Sequence, residues 1–356
     1  MNKPQTKQMW MPYINEEGTG ITIGGFQYGI GRELETETPE ELLALLKFMD
    51  GSRTLSEISN FLKMSFQETL DLLKHLQTFG LLQENIVDNQ VFSQEEAKYY
   101  KRNLNFFSWI DVEGKYYNYW AVQEKLKNAR VLLLGAGGTG SICANSFVRL
   151  GIGNIRIVDF DIVEMDNLNR QFFTYEDVGR NKVDALHDSL VKINPFVNVE
   201  VESKKISSTE DLLSLGTDYD LLVCCIDKPE TINELVEDYT LKTGIPRVMG
   251  GYASTVVTAS LFTESSATYK EIFENQKKKS YDSFKVNTSV EWQWENAIIA
   301  PIASLAGNLS ALYAFYFLSD LTSLKASEIL HLDLYNVQNA QIAYSIKNEV
   351  SEEEYA

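Results

Sequence analysis

The sequence predicts an α/β chain: a doubly wound parallel sheet over residues 129–356, preceded by a small α+β domain over residues 1–95. Three observations predict it. From Arg130 onward, short apolar runs alternate with amphipathic stretches of helical spacing, the order that builds βαβ units. A glycine-rich turn, Gly135-Ala-Gly-Gly-Thr-Gly140, joins the first of those runs to the first helix, as in Rossmann-like sheets. Ahead of them, short strand-like segments precede three helix starts, which suggests a winged-helix-like module.

In that module, Trp10–Tyr13, Ile21–Ile23 and Phe26–Ile30 are separated by glycines and are expected as strands. Thr38-Pro-Glu-Glu41, Thr54-Leu-Ser-Glu57 and Ser65-Phe-Gln-Glu68 each place a capping hydroxyl before a helix and a Glu three residues on. Leucines at helical spacing follow each cap, and Gly80 ends the third helix. Such a module commonly binds DNA through its last helix, which needs basic residues. Ser65–Phe79 carries Glu68, Asp71, Lys74 and His75 instead. Two other readings stay open: a structural appendage, or capture of a peptide that adds as a strand to a sheet edge beside a helix. Residues 96–128 read as a polar, aromatic linker.

Behind the linker, strands are expected at Arg130–Leu134, Asn154–Asp159, Val197–Val201, Leu221–Cys225 and Pro246–Gly250. Helices are expected at Ser141–Leu150, Asn181–Asn194 and Thr231–Thr243. Residues 264–296 form a long polar insertion, the kind of loop that serves as a lid or binding segment. Ala297–Ser319 carries no formal charge and approaches membrane length, but Pro301, Ser304, Asn308 and Ser310 interrupt it. It is expected as a buried core helix, and no membrane partner is expected. Two strands, Ile329–Tyr335 and Gln341–Ile346, and an acidic tail complete the chain.

Composition narrows the function. The chain has 356 residues, room for two or three domains. Its 32 Lys+Arg against 50 Asp+Glu give a net charge of −18, which argues against a nucleic-acid-coating protein. Cys143, Cys224 and Cys225 cannot form a disulfide framework, and without any CxxC no structural zinc is expected. His75, His187 and His331 are too scattered to suggest a histidine metal cluster. The N-terminal MNKPQTKQMWMPY has no apolar core, so no secretory signal is read and a cytoplasmic location is expected.

The chemistry concentrates after Leu134. Gly135, Gly137, Gly138 and Gly140 allow a tight turn and close approach of phosphate to a helix N-terminus. Asp159, at the end of the next strand, stands where an acid accepts hydrogen bonds from ribose hydroxyls. Alone, this pair fits an NAD enzyme as well as an ATP enzyme, or a ligand-free strand–helix turn. Individually, an Arg or Lys is commonly a solvated charge and a strand-end Asp a helix cap.

The residues from Asp159 onward are more specific. Asp159-Phe-Asp-Ile-Val-Glu-Met-Asp-Asn-Leu-Asn-Arg-Gln171 resembles the signature of the ThiF/MoeB superfamily, which includes the ubiquitin-activating enzymes. Val178-Gly-Arg-Asn-Lys182 and Cys225-Ile-Asp227 resemble its next two blocks, in the same order. The resemblance covers roughly Tyr99–Leu318 and implies Mg-ATP binding and adenylation of a carboxylate, usually a protein or peptide C-terminus. It implies that Asp159, within Asp159-Phe-Asp161, holds the ribose, and that Asn167, Arg170 and Gln171 contact the phosphates or order the loop around them. It further implies that Lys182 pairs with the triphosphate and Asp227 carries Mg²⁺. Arg102, in Tyr99-Tyr-Lys-Arg-Asn103, resembles an arginine that reaches the ATP of the other subunit of a homodimer; the pattern's earlier arginine position is Tyr99 here.

Two departures matter. The zinc-binding CxxC pairs of many members are absent, and residues 264–296 lack the catalytic Cys of ubiquitin-activating enzymes. The architecture most resembles the microcin C-type peptide-nucleotidylating enzymes, MccB-like proteins with a small peptide-binding domain ahead of a dimeric adenylating one. That implies a short ribosomally made precursor peptide as substrate, activated at its C-terminal residue. Tyr252 could line its channel, and Lys277–Lys279 could meet its carboxylate, although a solvated charge run is the simpler reading of those lysines. A sulfur-carrier adenylyltransferase and a non-catalytic protein that presents peptides to a partner enzyme are the alternatives. An NAD dehydrogenase explains the glycines and Asp159 but not Asn167–Gln171 or Lys182.

Overall fold

The structure, a computed structural model, describes residues 3–25, 27, 29–269, 271–272, 297–335 and 342–344. It divides into two compact units: Met1–Lys125 with Ser319–Thr322, and Leu126–Leu318 with Ser323–Ala356.

The first unit contains β1 (Gln5–Thr6), β2 (Tyr13–Ile14), β3 (Gly20–Ile23), β4 (Arg32–Glu35), α1 (Pro39–Phe48), α2 (Leu55–Leu62), α3 (Phe66–Thr78), β5 (Leu82–Gln83), α4 (Gln94–Ile110) and most of α5 (Trp120–Asn128). β2, β3 and β4 form an antiparallel sheet with β3 in the centre, and β1 pairs β5. Thr54 and Ser65 make the expected capping boxes; the Thr38 side chain makes no cap bond. Trp10, Ile21, Ile23, Leu45, Met49, Ile58, Leu73 and Leu81 are buried in one core.

Three expectations change here. Of Trp10–Tyr13 only Tyr13 is in a strand, β2, because Trp10 closes a one-turn helix over Gln8–Trp10. Gln27, Gly29 and Ile30 lie in turns, with Phe26 and Tyr28 outside the described residues, and the strand comes later, as β4. Its Arg-Glu-Leu-Glu sequence hides it, because Leu34 is its one apolar residue in the core. The segment read as a linker is largely helical. Tyr100, Leu104 and Phe107 of α4 are buried at helical spacing, and Trp109 packs against the core.

The second unit is one sheet in the order β13-β12-β11-β10-β9-β6-β7-β8. Here β6 is Arg130–Leu134, β7 Asn154–Val158, β8 Asn198–Glu202, β9 Leu221–Cys224 and β10 Arg247–Ala253. These five are mutually parallel, as the alternation with α6 (Gly138–Leu150), α7 (Lys182–Ile193), α8 (Thr209–Leu213) and α9 (Ile232–Thr243) requires. Against them β11 (Val256–Phe262), β12 (Ile329–Asp333) and β13 (Ile342–Tyr344) run antiparallel in turn. The sheet is therefore mixed, with a meander added at one side.

α10 (Ala300–Ser319) is the apolar helix. By length and composition it could cross a bilayer, and 44% of its most apolar window is buried, less than a core helix would show. Its contacts are those of a packed helix. A side chain at Gly307 would strike Thr139 and Ile142 of α6, and one at Gly250 of β10 would overlap Ser310. Of the insertion, residues 270 and 273–296, including Lys277–Lys279, lie outside the described residues, as does the acidic tail.

Candidate functional site

The C-terminal ends of β6, β7 and β9 converge on one loop system. The chain leaves β6 through Gly135, at φ +100°, where a side chain would press against the Cys225 carbonyl and Ile226. One turn on, a side chain at Gly140 would overlap the Gly135 carbonyl oxygen. The loop thus curls against its own helix. Gly137 differs: nothing lies within 4 Å of where its side chain would be. That open space faces the start of α6, whose N-cap is Gly137 and makes no side-chain cap bond. Free N–H groups and the helix dipole make this an anion site.

Asp159 is buried at the end of β7. Its carboxylate accepts hydrogen bonds from the backbone N–H of Ala136 (2.7 Å) and of Asp161 (2.8 Å), clamping the glycine loop to β7. Asp161 passes the clamp on. Its carbonyl accepts from the Lys182 N–H and its carboxylate from Lys182 Nζ, both at 2.9 Å. Lys182 opens α7 and its side chain is only 8% exposed. Between them, the Val163 and Gly179 N–H groups donate to the Arg180 and Val163 carbonyls, zipping the two loops together.

The Asn167–Gln171 stretch is a self-bonded loop. Asn167 is buried; its side chain accepts from the Glu164 N–H and donates to Asp166, while its carbonyl accepts from the N–H of Arg170 and Gln171. Arg170 donates to the Asp166 carbonyl (2.9 Å) and Asn169 (2.8 Å). Gln171 Oε1 is buried without a hydrogen-bond partner among the described residues. The Phe172 N–H donates to Ser141 Oγ (3.0 Å), which ties this loop to α6.

Asp227 is exposed beyond β9 and lines a pocket of about 390 Å³ with Glu230, Asn233, Thr258, Ser260 and His331, floored by Met249 and Phe262. Burial pulls the His331 imidazole below its ordinary value. Among the described residues no three His, Cys, Asp or Glu side chains cluster to hold a metal. A single exposed carboxylate still fits Mg²⁺, which usually takes one or two carboxylates and completes its shell with water and substrate phosphates.

The second unit therefore brings together Gly135, Gly137, Gly138, Gly140, Asp159, Asp161, Asn167, Arg170, Gln171 and Lys182, with Asp227 on the strand end that backs the glycine loop. Arg102 lies on the exposed face of α4, in the first unit. Cys224 is buried, which pushes its thiol up to about 12; Cys225 is raised by a hydrogen bond with Cys143 and by burial. Neither has the character of a nucleophile. The Tyr252 hydroxyl lies against the start of α6, where a side chain at Gly138 would strike it first. The β11 and β12 members of the pocket carried no sequence signal.

The first unit has a concavity of its own. A groove of about 670 Å³ runs along β4 between α1 and α3, lined by Leu34, Leu42, Leu45, Leu62, Leu72 and Phe79.

An α/β sheet with a glycine-turn anion site, a strand-end acid and a lysine on the next helix defines a nucleotide-binding protein of the doubly wound class. The comparisons with known proteins narrow the class. The chain belongs to the ThiF family, whose pattern matches residues 100–351. It is 36% identical over 175 residues to "Probable adenylyltransferase/sulfurtransferase MoeZ" of Mycobacterium tuberculosis, covering 49% of this chain and 42% of that one. The chain thus spans less than half the length of that relative. With "Molybdopterin-synthase adenylyltransferase" of Haemophilus influenzae the identity is 28% over 225 residues, 62% of this chain and 84% of the relative. Among solved structures, "Crystal structure of E. coli MccB + MccA-N7isoASN" matches with TM-score 0.75 and 19% identity over 97% of both chains. PaaA matches with TM-score 0.70 and 25% identity over 94% of this chain and 98% of that one. The fold is of the MccB kind along nearly the whole chain.

Proposed function

We propose that the protein is an ATP-dependent adenylyltransferase that activates the C-terminal carboxylate of a short, ribosomally made precursor peptide. The single observation that carries the activity is the clamp from Ala136 through Asp159 and Asp161 to Lys182, which holds a cation beside an anion-binding glycine loop. In the reaction, a peptide carboxylate oxygen attacks the α-phosphorus of ATP. The bond from that phosphorus to the bridging oxygen breaks, leaving an acyl-adenylate and pyrophosphate. The glycine loop and α6 bind phosphate, and Asp159 retains lone pairs for ribose hydroxyls. Lys182 and Arg170 stabilise the charge that builds on the leaving group. Asp227 would hold Mg²⁺, which would supply further neutralisation there. No protein nucleophile is needed.

Three observations support the peptide and the assembly. The first unit offers a sheet edge beside an apolar groove, a geometry suited to an extended peptide leader. The whole-chain likeness to MccB, solved with MccA-N7isoASN, points the same way. Exposed Phe160, Ile162, Met165 and Tyr175, with Leu305 and Leu312 on α10, support a homodimer in which Arg102 of one subunit serves the other's ATP. An ATP- and ribosome-dependent substrate fits the cytoplasm. The names of the MoeZ and molybdopterin-synthase relatives favour a second reading, adenylation of a small sulfur-carrier protein.

Mass spectrometry of a candidate peptide incubated with the protein and Mg-ATP tests the proposal. Gain of a nucleotidyl group, with pyrophosphate release lost in Asp227→Asn, is expected. An unmodified peptide with no ATP–pyrophosphate exchange would shift the reading to a non-catalytic peptide-presenting protein; exchange driven only by a carrier protein would favour the second reading.

A further inference from the structure

The pairing register shows which backbone groups of β4 are free. Asn15 N–H bonds the Gly20 carbonyl, so Gly20 and Thr22 of β3 spend their backbone bonds on β2. Thr36 N–H bonds the Thr19 carbonyl, so Ile21 and Ile23 bond Leu34 and Arg32. Glu33 and Glu35 therefore turn their N–H and C=O groups to the open edge. A peptide strand added there alternates: residues opposite Leu34 face the apolar groove, and residues opposite Glu33 and Glu35 share the face of the two carboxylates.

The charge around that edge has one sign. Glu33, Glu35 and Glu41 line the groove, and Glu37 continues the row in the adjoining hollow. Among the described residues no Lys or Arg lines either. Arg32, the one base on β4, is turned inward: its guanidinium donates to the Phe79 and Val112 carbonyls and lies over the Trp10 ring. His75, edge-on to Phe79, is the only basic side chain in that described lining. Glu33 accepts weak bonds from Thr22 (3.3 Å) and Asn15 (3.4 Å), on the sheet face opposite Leu34.

We infer that the β4 edge selects a basic peptide strand, with Lys or Arg alternating with apolar residues. The inference rests on the proposed peptide substrate and adds its charge pattern. Fluorescence anisotropy with the full chain tests it, using three labelled peptides: Lys alternating with Leu, the same composition with its lysines clustered at one end, and Gln alternating with Leu. The alternating Lys peptide is expected to bind at least tenfold more tightly than the other two. Glu33→Gln/Glu35→Gln is expected to remove that advantage, and Asp71→Asn, outside the groove, to leave it. Equal binding of the Lys and Gln peptides, or of the alternating and clustered ones, overturns the charge selection while leaving a peptide groove in place. A Lys preference unmoved by Glu33→Gln/Glu35→Gln overturns it as well. No binding of any of the three overturns the capture role itself, and ATP binding, measured separately by thermal shift, reports on the second unit.

Discussion

The glycine loop of the second unit and the β4 groove of the first are built by opposite means. The loop is made of backbone: Gly135 and Gly140 leave no space for side chains, and the acid that organises them, Asp159, spends its carboxylate on two N–H groups. The groove is made of side chains, with leucines as floor and carboxylates as rim. A backbone site tolerates no substitution but needs few residue types. A side-chain site tolerates many and carries its specificity in their charge. The proposed ligands differ in the same way, one fixed nucleotide against a peptide of variable sequence, and each construction suits the ligand proposed for it.

The largest effect that would break this contrast lies within the loop. Gly140→Val should abolish nucleotide binding and lower stability by about 1–3 kcal/mol, the usual range for overpacking, because its side chain overlaps the Gly135 carbonyl. Gly137→Ala, facing open space at φ −80°, should leave thermal stability unchanged and weaken ATP binding alone. Thermal melts with ATP titrations check both. If the two variants melt alike, the loop is not packed as described.

Next comes Lys182→Ala, expected to cut ATP–pyrophosphate exchange by about 10²–10³, the scale for removing one preorganised charge donor. Stability should barely change, since the Asp161 side chain is 46% exposed and can be solvated. A variant that loses stability and keeps activity would make the pair a structural ion bridge.

These effects also separate what was legible in the sequence from what was not. Gly135–Gly140 and the capping boxes at Thr54 and Ser65 are local: each residue's role is completed within a few positions, so spacing reveals it. The family motifs are equally contiguous, and the family and the doubly wound fold follow from them. Hidden were elements whose reason lies elsewhere in the chain. β4 has a single core residue, α4 spends its apolar side chains among aromatic and charged neighbours, and β11 finds its partners only once β10 and β12 are in place. The grip of Asp161 on Lys182 joins two separate motifs, and only folding brings them together.

On the groove side the effects are graded. Met64→Ala/Leu72→Ala removes part of the apolar floor, where Met64 is 37% exposed, so the fold should survive. Peptide KM should rise about tenfold, the sum of two partial burials, with the affinity for ATP unchanged. A matching fall in kcat would mean that the groove acts on the chemistry rather than on capture.

The smallest effect concerns the floor beneath the groove. Lys7 is fully buried, donates to the Asp111 carbonyl (2.9 Å) and lies 4.4 Å from the Trp10 ring that also carries Arg32. Burial lowers its amine from 10.5 to about 7, aided by Arg32 and opposed by Asp111. Between those two values the unfolded chain holds a proton that the folded chain lacks. Stability attributable to Lys7 therefore rises with pH from about 7 toward 10.5, by at most about 1.4 kcal/mol per pH unit, and is flat below 7. Lys7→Met keeps the packing and removes the titration; the donor lost to the Asp111 carbonyl adds a cost that does not vary with pH. Urea midpoints of the two proteins at pH 7 and pH 9 should differ in slope, with the wild type gaining more stability on alkalinisation. Parallel curves would mean that Lys7 keeps its charge in the core, held there by the Asp111 carbonyl and the Trp10 and Tyr119 rings.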